Sequence, residues 1–130
     1  MSDGSFTQDE IDELLLSTQS KNKPETLNIL GQDYIYQENN EKGDTRLEDT
    51  DGYHDGYAKI ICVNNDYNEN HSLAIRNFTE YKKKVIRHEI IHAFFTESGL
   101  KNYGEDEVIV DWIAAQFPKL LKAFAQVEAL

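Results

Sequence analysis

Two histidines flank a glutamate in the stretch VIRHEIIHAFF, residues 85–95: His88 and His92 stand four apart, and Glu89 follows the first directly. Residues four apart on an α-helix project from one face, so both imidazoles reach a single ion, and imidazole nitrogen is a favoured zinc ligand. Glu89 is turned by about 100° from His88 around the helix. Its carboxylate can therefore hold a water on the ion without binding the ion itself. Zinc lowers the pKa of a bound water to about 7, and a carboxylate beside it can take the proton and pass it to a leaving amine. The plain alternative is a helix with two histidines, one exposed and one hydrogen-bonded in the core. With 4 histidines in the chain, a shuffled sequence shows this His-Glu-x-x-His pattern roughly once in a hundred, so the context decides.

A hydrolytic zinc site keeps three protein ligands and one open position, so a third ligand must arrive from a second element. Glu107 and Asp111 are again four apart, on a stretch that reads as the next helix, after a turn between Gly99 and Gly104 that lets the chain reverse. Glu107 is the preferred third ligand. Asp111 can accept a hydrogen bond from the far nitrogen of a zinc-bound histidine and so fix its tautomer. Glu105 is the alternative ligand, but its partner four residues on is Ile109, which cannot serve that second role. Acid in a first helical turn also favours the helix dipole with no metal at all, which is the competing explanation for Glu105, Asp106 and Glu107.

The elements that must position these residues follow from periodicity. FTEYKKKVIRHEIIHAFFTESGL predicts a helix from near Thr79, largely buried because Tyr81, Val85, Ile86, Ile90, Phe94 and Phe95 exceed one narrow stripe, with Gly99 as a left-handed stop. The run Lys82 to Lys84 is expected on its wet side. A second helix is expected from around Glu105, with Val108, Ile109, Trp112, Ile113 and Phe117 as its apolar side. Pro118 should kink or break it ahead of a separate C-terminal helix. TLNILGQDYIYQ predicts two short strands or one bent strand around Gly31, and YAKIICVNN is the clearest strand, with Cys62 packed as a small hydrophobe. The acidic stretch ENNEKGDTRLEDTDGYHDG is expected as a surface loop. At the N-terminus Thr7 and Glu10 have capping-box spacing, and Ile11, Leu14 and Leu15 mark one face of a short helix followed by a polar linker ending at Pro24. The expected organisation is an amphipathic arm, residues 1–24, and one domain, residues 25–130.

Bulk properties narrow the function classes. At 130 residues the chain suits one small core, and a net charge of −11 would repel a phosphate backbone, so nucleic acid is excluded as a partner. No apolar run reaches the ~20 residues of a membrane span, no basic-then-apolar leader opens the chain, and the single cysteine cannot form an internal disulfide. A cytoplasmic, reducing setting is the expectation.

HEIIH followed by EVIVDWIAAQFPKL resembles the gluzincin zinc metallopeptidases, and among them the small ImmA/IrrE-like and phage-encoded minimal forms, over residues from about Gly52 to Leu121. The resemblance implies an α+β fold, a small antiparallel sheet packed on an active-site helix and a second, glutamate-bearing helix. It implies zinc on His88, His92 and Glu107, Glu89 as general base, Asp111 behind a histidine ligand, and a protein or peptide substrate laid along DGYHDGYAKIICV by edge pairing. The interval from His92 to Glu107 is shorter than in thermolysin-like enzymes, and the motif reads RHEIIH rather than the HELGH typical of ImmA/IrrE proteins. A peptidase also needs a donor for the oxyanion, for which Tyr53, His54, Tyr57, His71 and Tyr103 are candidates that spacing does not separate. The N-terminal arm resembles the docking helix of flagellar motor switch proteins over about a dozen residues, which implies a protein partner. Three functions follow: a zinc-dependent endopeptidase of a bacterial or prophage-encoded kind, a catalytically idle adaptor of the same fold with a structural zinc and a docking arm, and a metal-free helical interaction domain. Glu89 favours the first, because a structural zinc needs no general base.

Overall fold

The computed structural model describes residues 7–10, 26–66 and 77–130. The chain divides into two compact units, one of Glu25–Ala115 and the other of Met1–Pro24 with Gln116–Leu130. Glu25–Ala115 holds every strand of the sheet, and Gln116–Leu130 falls in the other unit. Among the described residues no helix is long and apolar enough to cross a membrane.

The fold is α+β. Strands β1 (Thr26–Ile29), β2 (Gln32–Asn39), β3 (Gly52–Asp55) and β4 (Ile60–Asn64) form one sheet in the order β1-β2-β4-β3. The sheet is mixed rather than wholly antiparallel: β1–β2 and β3–β4 are antiparallel pairs, and β2–β4 is parallel, with Tyr36 opposite Ile61 and Glu38 opposite Val63. The parallel pair arises because the chain leaves β2, crosses through a short 3-10 helix at Thr45–Leu47, and returns by the β3–β4 hairpin. The acidic stretch expected as a loop therefore supplies both that 3-10 turn and an edge strand.

Alternation sets the two faces. Ile29, Tyr34, Tyr36, Ile61 and Val63 point to one side and make the core with Val85 and Ala93 of helix α1 (Phe78–Glu97). Cys62, free and fully buried, and Leu47 lie among the most enclosed side chains. Helix α1 is buried only along Val85, Glu89 and Ala93, so it is a half-buried helix and not the largely buried one its apolar content implied. It ends in a Schellman arrangement: Leu100 N–H donates to the Phe95 carbonyl at 2.9 Å, Gly99 N–H to that of Thr96 at 3.3 Å, and Gly99 takes φ +80°. A one-turn helix, α2 (Lys101–Gly104), completes the reversal.

Helix α3 (Glu107–Gln126) starts two residues later than expected, because Asp106 caps it by accepting from the N–H groups of Val108 and Ile109 at 3.0 and 3.2 Å. It does not break at Pro118. Proline leaves the Ala114 carbonyl without its intrahelical donor, and Nε of Arg87 donates to that oxygen at 2.6 Å instead. The buried side of α3 is Val110 and Ala114, whereas Val108, Ile109, Trp112 and Phe117, expected as the apolar side, are exposed.

At the N-terminus the capping box is present: Thr7 Oγ1 accepts from Glu10 N–H at 3.2 Å, and Thr7 N–H faces Glu10 Oε1 at 3.5 Å. The face expected at Ile11, Leu14 and Leu15, the linker to Pro24, and His71 lie outside the described residues.

Candidate metal centre

The reversal between α1 and α3 brings the separated ligand candidates to one point. Oε2 of Glu107 lies 2.8 Å from Nε2 of His88, Oε1 of Glu107 lies 3.1 Å from Nε2 of His92, and the two Nε2 atoms are 3.1 Å apart. All three ligand atoms fall within 4.8 Å of one another. Two imidazole nitrogens and a carboxylate oxygen facing one another at such range are donor types that zinc accepts, and they line an open cavity. The residues fit a metal ion. Glu105, the alternative ligand, is exposed and takes no part in this cluster.

Asp111 stands where its spacing placed it, with Oδ1 3.2 Å from Nδ1 of His88. His88 thus has a carboxylate at each ring nitrogen; with a metal on Nε2, the ring proton would stand on Nδ1, where Asp111 can accept its hydrogen bond. Lys84, one turn before His88, reaches the same carboxylate, 3.4 Å from Oδ1 and 3.5 Å from Oδ2. The lysine run therefore does not share one wet side: Lys82 pairs with Glu38 of β2, Lys83 with Glu80 in the exposed first turn, and Lys84 with the site.

Glu89 is the buried carboxylate of the group, 8% exposed. Burial pushes its carboxyl up to about 7; His88 opposes that rise, and Glu107 and Asp51 add to it. The sheet allows this approach because β3 begins with Gly52, where a Cβ would lie 3.0 Å from the Cys62 carbonyl, 3.2 Å from Val85 Cγ1 and 3.3 Å from Glu89 Cγ. A larger residue there would push α1, and Glu89 with it, off the sheet.

A cavity of about 500 Å³ opens over these groups, lined by α1, by Glu107 and Asp111, and by Thr50, Asp51 and strand β3. β3 is the edge of the described sheet, beside β4. Tyr81 also lines the cavity and donates from its hydroxyl to Asp51. Neither Tyr81, Asp51 nor Lys84 stood out in the sequence. Tyr81 read as core, Asp51 as loop and Lys84 as solvated charge, and only the pairing of distant elements reveals their place.

The oxyanion candidates separate. Tyr53 donates to Asp44 at 2.5 Å, with Arg46 4.2 Å above its ring, on the sheet face away from α1. Tyr57 is 96% exposed and Tyr103 63%. His54 lies on the α1 side, its ring near-parallel to that of His92 at 6.2 Å and stacked on Tyr34 at 6.0 Å. Its Nε2 is buried with no hydrogen-bond partner among the described residues, and burial, with His92 second, keeps its imidazole below the usual value. Compared with models of known protein families, with curated proteins and with solved structures, the chain matches none.

Proposed function

We propose that this protein is a zinc-dependent endopeptidase that hydrolyses peptide bonds of a protein substrate. One observation carries the reading: His88, His92 and Glu107 converge within 4.8 Å at the mouth of a cavity whose remaining buried charge is Glu89. A site built only to hold a metal for stability would not need a desolvated carboxylate next to its open side.

The zinc, when bound, supplies Lewis acidity, polarising the scissile carbonyl and acidifying a water. His88, His92 and Glu107 hold the ion. Asp111 keeps the proton of His88 on Nδ1. Glu89 holds the attacking water by accepting its hydrogen bond, takes its proton, and returns it to the departing amide nitrogen, so that the leaving group departs as a neutral amine. Its burial suits both halves of that exchange, because a desolvated carboxylate holds a proton more readily than a solvated one. The substrate backbone is an extended segment that adds to β3 at the sheet edge, which brings its carbonyl along the cavity toward α1. His54, on β3 with its ring beside that of His92, is the oxyanion candidate this reading favours.

The test begins with metal content. Purified protein should contain about one zinc per chain, and His92→Ala should lose it. An unstructured polypeptide such as casein should be cut by the zinc-loaded protein and left intact by Glu89→Gln, which keeps its zinc. Failure to take up zinc on incubation, or cleavage by Glu89→Gln at the wild-type rate, would overturn the proposal.

A further inference from the structure

Glu107, Asp111 and Ala114 recur at intervals of four and three, so they form one stripe along α3. Lys84, Arg87, His88 and His92 form the facing stripe of α1. The contacts of three of these run outward from the turn in antiparallel order, His92 to Glu107, His88 to Glu107 and Asp111, and Lys84 to Asp111, whereas Arg87, one residue before His88, reaches past Asp111 to Ala114. The Arg87 bond reaches furthest along α3, and it is the member of this series that grips the backbone.

That difference matters mechanically. A bond between two side chains survives a small rotation or slide of a helix by adjusting χ angles, whereas a bond to a main-chain carbonyl moves with the helix itself. A slip of one residue would carry Glu107 about 1.5 Å along the axis and about 100° around it, out of reach of both histidines. The acceptor exists because residue 118 is proline: the Ala114 oxygen would otherwise take the N–H four residues on. Arg87 donates to it at 2.6 Å, shorter than the usual N–H to carbonyl distance, as a cationic donor favours.

We propose that Arg87 is the positioning residue of the metal centre: anchored on the Ala114 carbonyl that Pro118 leaves open, it sets the rotation and register of α3 against α1 so that Glu107 and Asp111 meet His88 and His92. This rests on the zinc reading for one of its readouts only. Arg87 touches neither metal nor substrate in this role.

The experiment compares the full chain with Arg87→Met, Arg87→Lys, Pro118→Ala and the Arg87→Met/Pro118→Ala pair. Zinc affinity by chelator competition, the urea unfolding midpoint, and the imidazole ¹⁵N spectrum of the zinc-free proteins are read for each. Arg87→Met should weaken zinc about tenfold or more, the scale of losing a group that orients ligands, and Arg87→Lys, still a cationic donor, should recover most of it. In Pro118→Ala the Ala114 carbonyl takes its own N–H and Arg87 loses its anchor, so this variant should stay folded yet bind zinc about as weakly as Arg87→Met, and adding Arg87→Met to it should cost little more in either readout. A loss of zinc affinity in a variant whose carbonyl is satisfied separates register from simple satisfaction of a buried carbonyl. Wild-type zinc affinity in Arg87→Met, or in Pro118→Ala, would overturn the inference. Should the wild-type chain bind no zinc, the peptidase reading falls alone, and the zinc-free spectra decide: Arg87→Met should shift the His88 imidazole nitrogens as Glu107 and Asp111 draw away from them, and an unchanged spectrum would refute the role of Arg87.

Discussion

Asp111→Asn replaces a single oxygen by an amide NH₂, and it tests the logic of the centre more sharply than deletion of a ligand. Oδ1 of Asp111 faces Nδ1 of His88 at 3.2 Å, and the Lys84 ammonium lies 3.4 Å from the same oxygen. For Nε2 of His88 to bind a metal, the ring proton must sit on Nδ1, and a carboxylate enforces that because it has nothing to donate. An amide can turn. Lys84 offers only protons, so it draws the amide oxygen toward itself and leaves the NH₂ facing His88, which favours the tautomer with Nε2 protonated and unable to bind. Partners of metal-binding histidines are worth about 10–100-fold in affinity. Here the bond is longer than the ~2.8 Å of a strong charge-assisted pair, and the Asp111 side chain is 48% exposed, so the lower end applies: about tenfold, or ~1.4 kcal/mol. The assay is chelator competition for zinc at fixed pH and salt, with far-ultraviolet circular dichroism to confirm the fold. Glu107→Ala, which removes a ligand outright, should lose more. Zinc affinity in Asp111→Asn equal to wild type, with Glu107→Ala weakened, would refute the tautomer argument while leaving the ligand set intact.

Gly52→Ala places a methyl 3.0 Å from the Cys62 carbonyl and 3.3 Å from Glu89 Cγ, which should destabilise by about 1–3 kcal/mol in urea unfolding; an unchanged midpoint would mean that α1 does not rest on β3 as described. Tyr53→Phe removes the hydroxyl bonded to Asp44, so it should cost about 1 kcal/mol of stability and leave any cleavage rate unchanged, whereas a collapse in rate at normal zinc content would return Tyr53 to the oxyanion role. Lys59 first, and Tyr34 second, hold the Glu97 carboxyl below its usual value. A carboxyl lowered on folding stabilises above its unfolded pKa of about 4.3 and loses that contribution as pH falls through the lower folded value. Lys59→Met should therefore flatten the fall of melting temperature as pH drops below the unfolded value, and an identical pH profile would show that the pair does not act.

Much of the centre was legible because helical spacing is local. Four-residue intervals put His88 with His92 and Glu107 with Asp111 whatever the rest of the chain does, and a turn between Gly99 and Gly104 suffices to oppose the two pairs. Strands and helices were both legible, from alternation and from helical periodicity, and the α+β class came with the resemblance. What could not be read is what distant residues decide. β3 has four residues, one of them glycine, inside an acidic stretch, too short for alternation to register; it is a strand because β4 pairs with it. The three lysines are identical in charge, yet successive helical residues fan over about 200°, so their fates diverge according to which neighbour stands at each angle.

Pro118 shows why correct local rules can give the wrong element. Proline does remove a donor, and an isolated helix would be weakened there by roughly 3 kcal/mol. The freed carbonyl is Ala114, and the structure brings Arg87 to it from another helix. The same rotation turns Val110 and Ala114 inward and leaves Val108 and Trp112 in solvent, against the hydrophobic pattern of α3. Along Glu107, Asp111 and Ala114 the polar contacts of α3 run to His88, His92, Lys84 and Arg87 of α1, and the backbone defect at Pro118 frees the acceptor of one of them. In this chain both departures from sequence rules therefore lie on the helix that carries Glu107 and Asp111 to the two histidines, which is where competition between a site and local stability is expected.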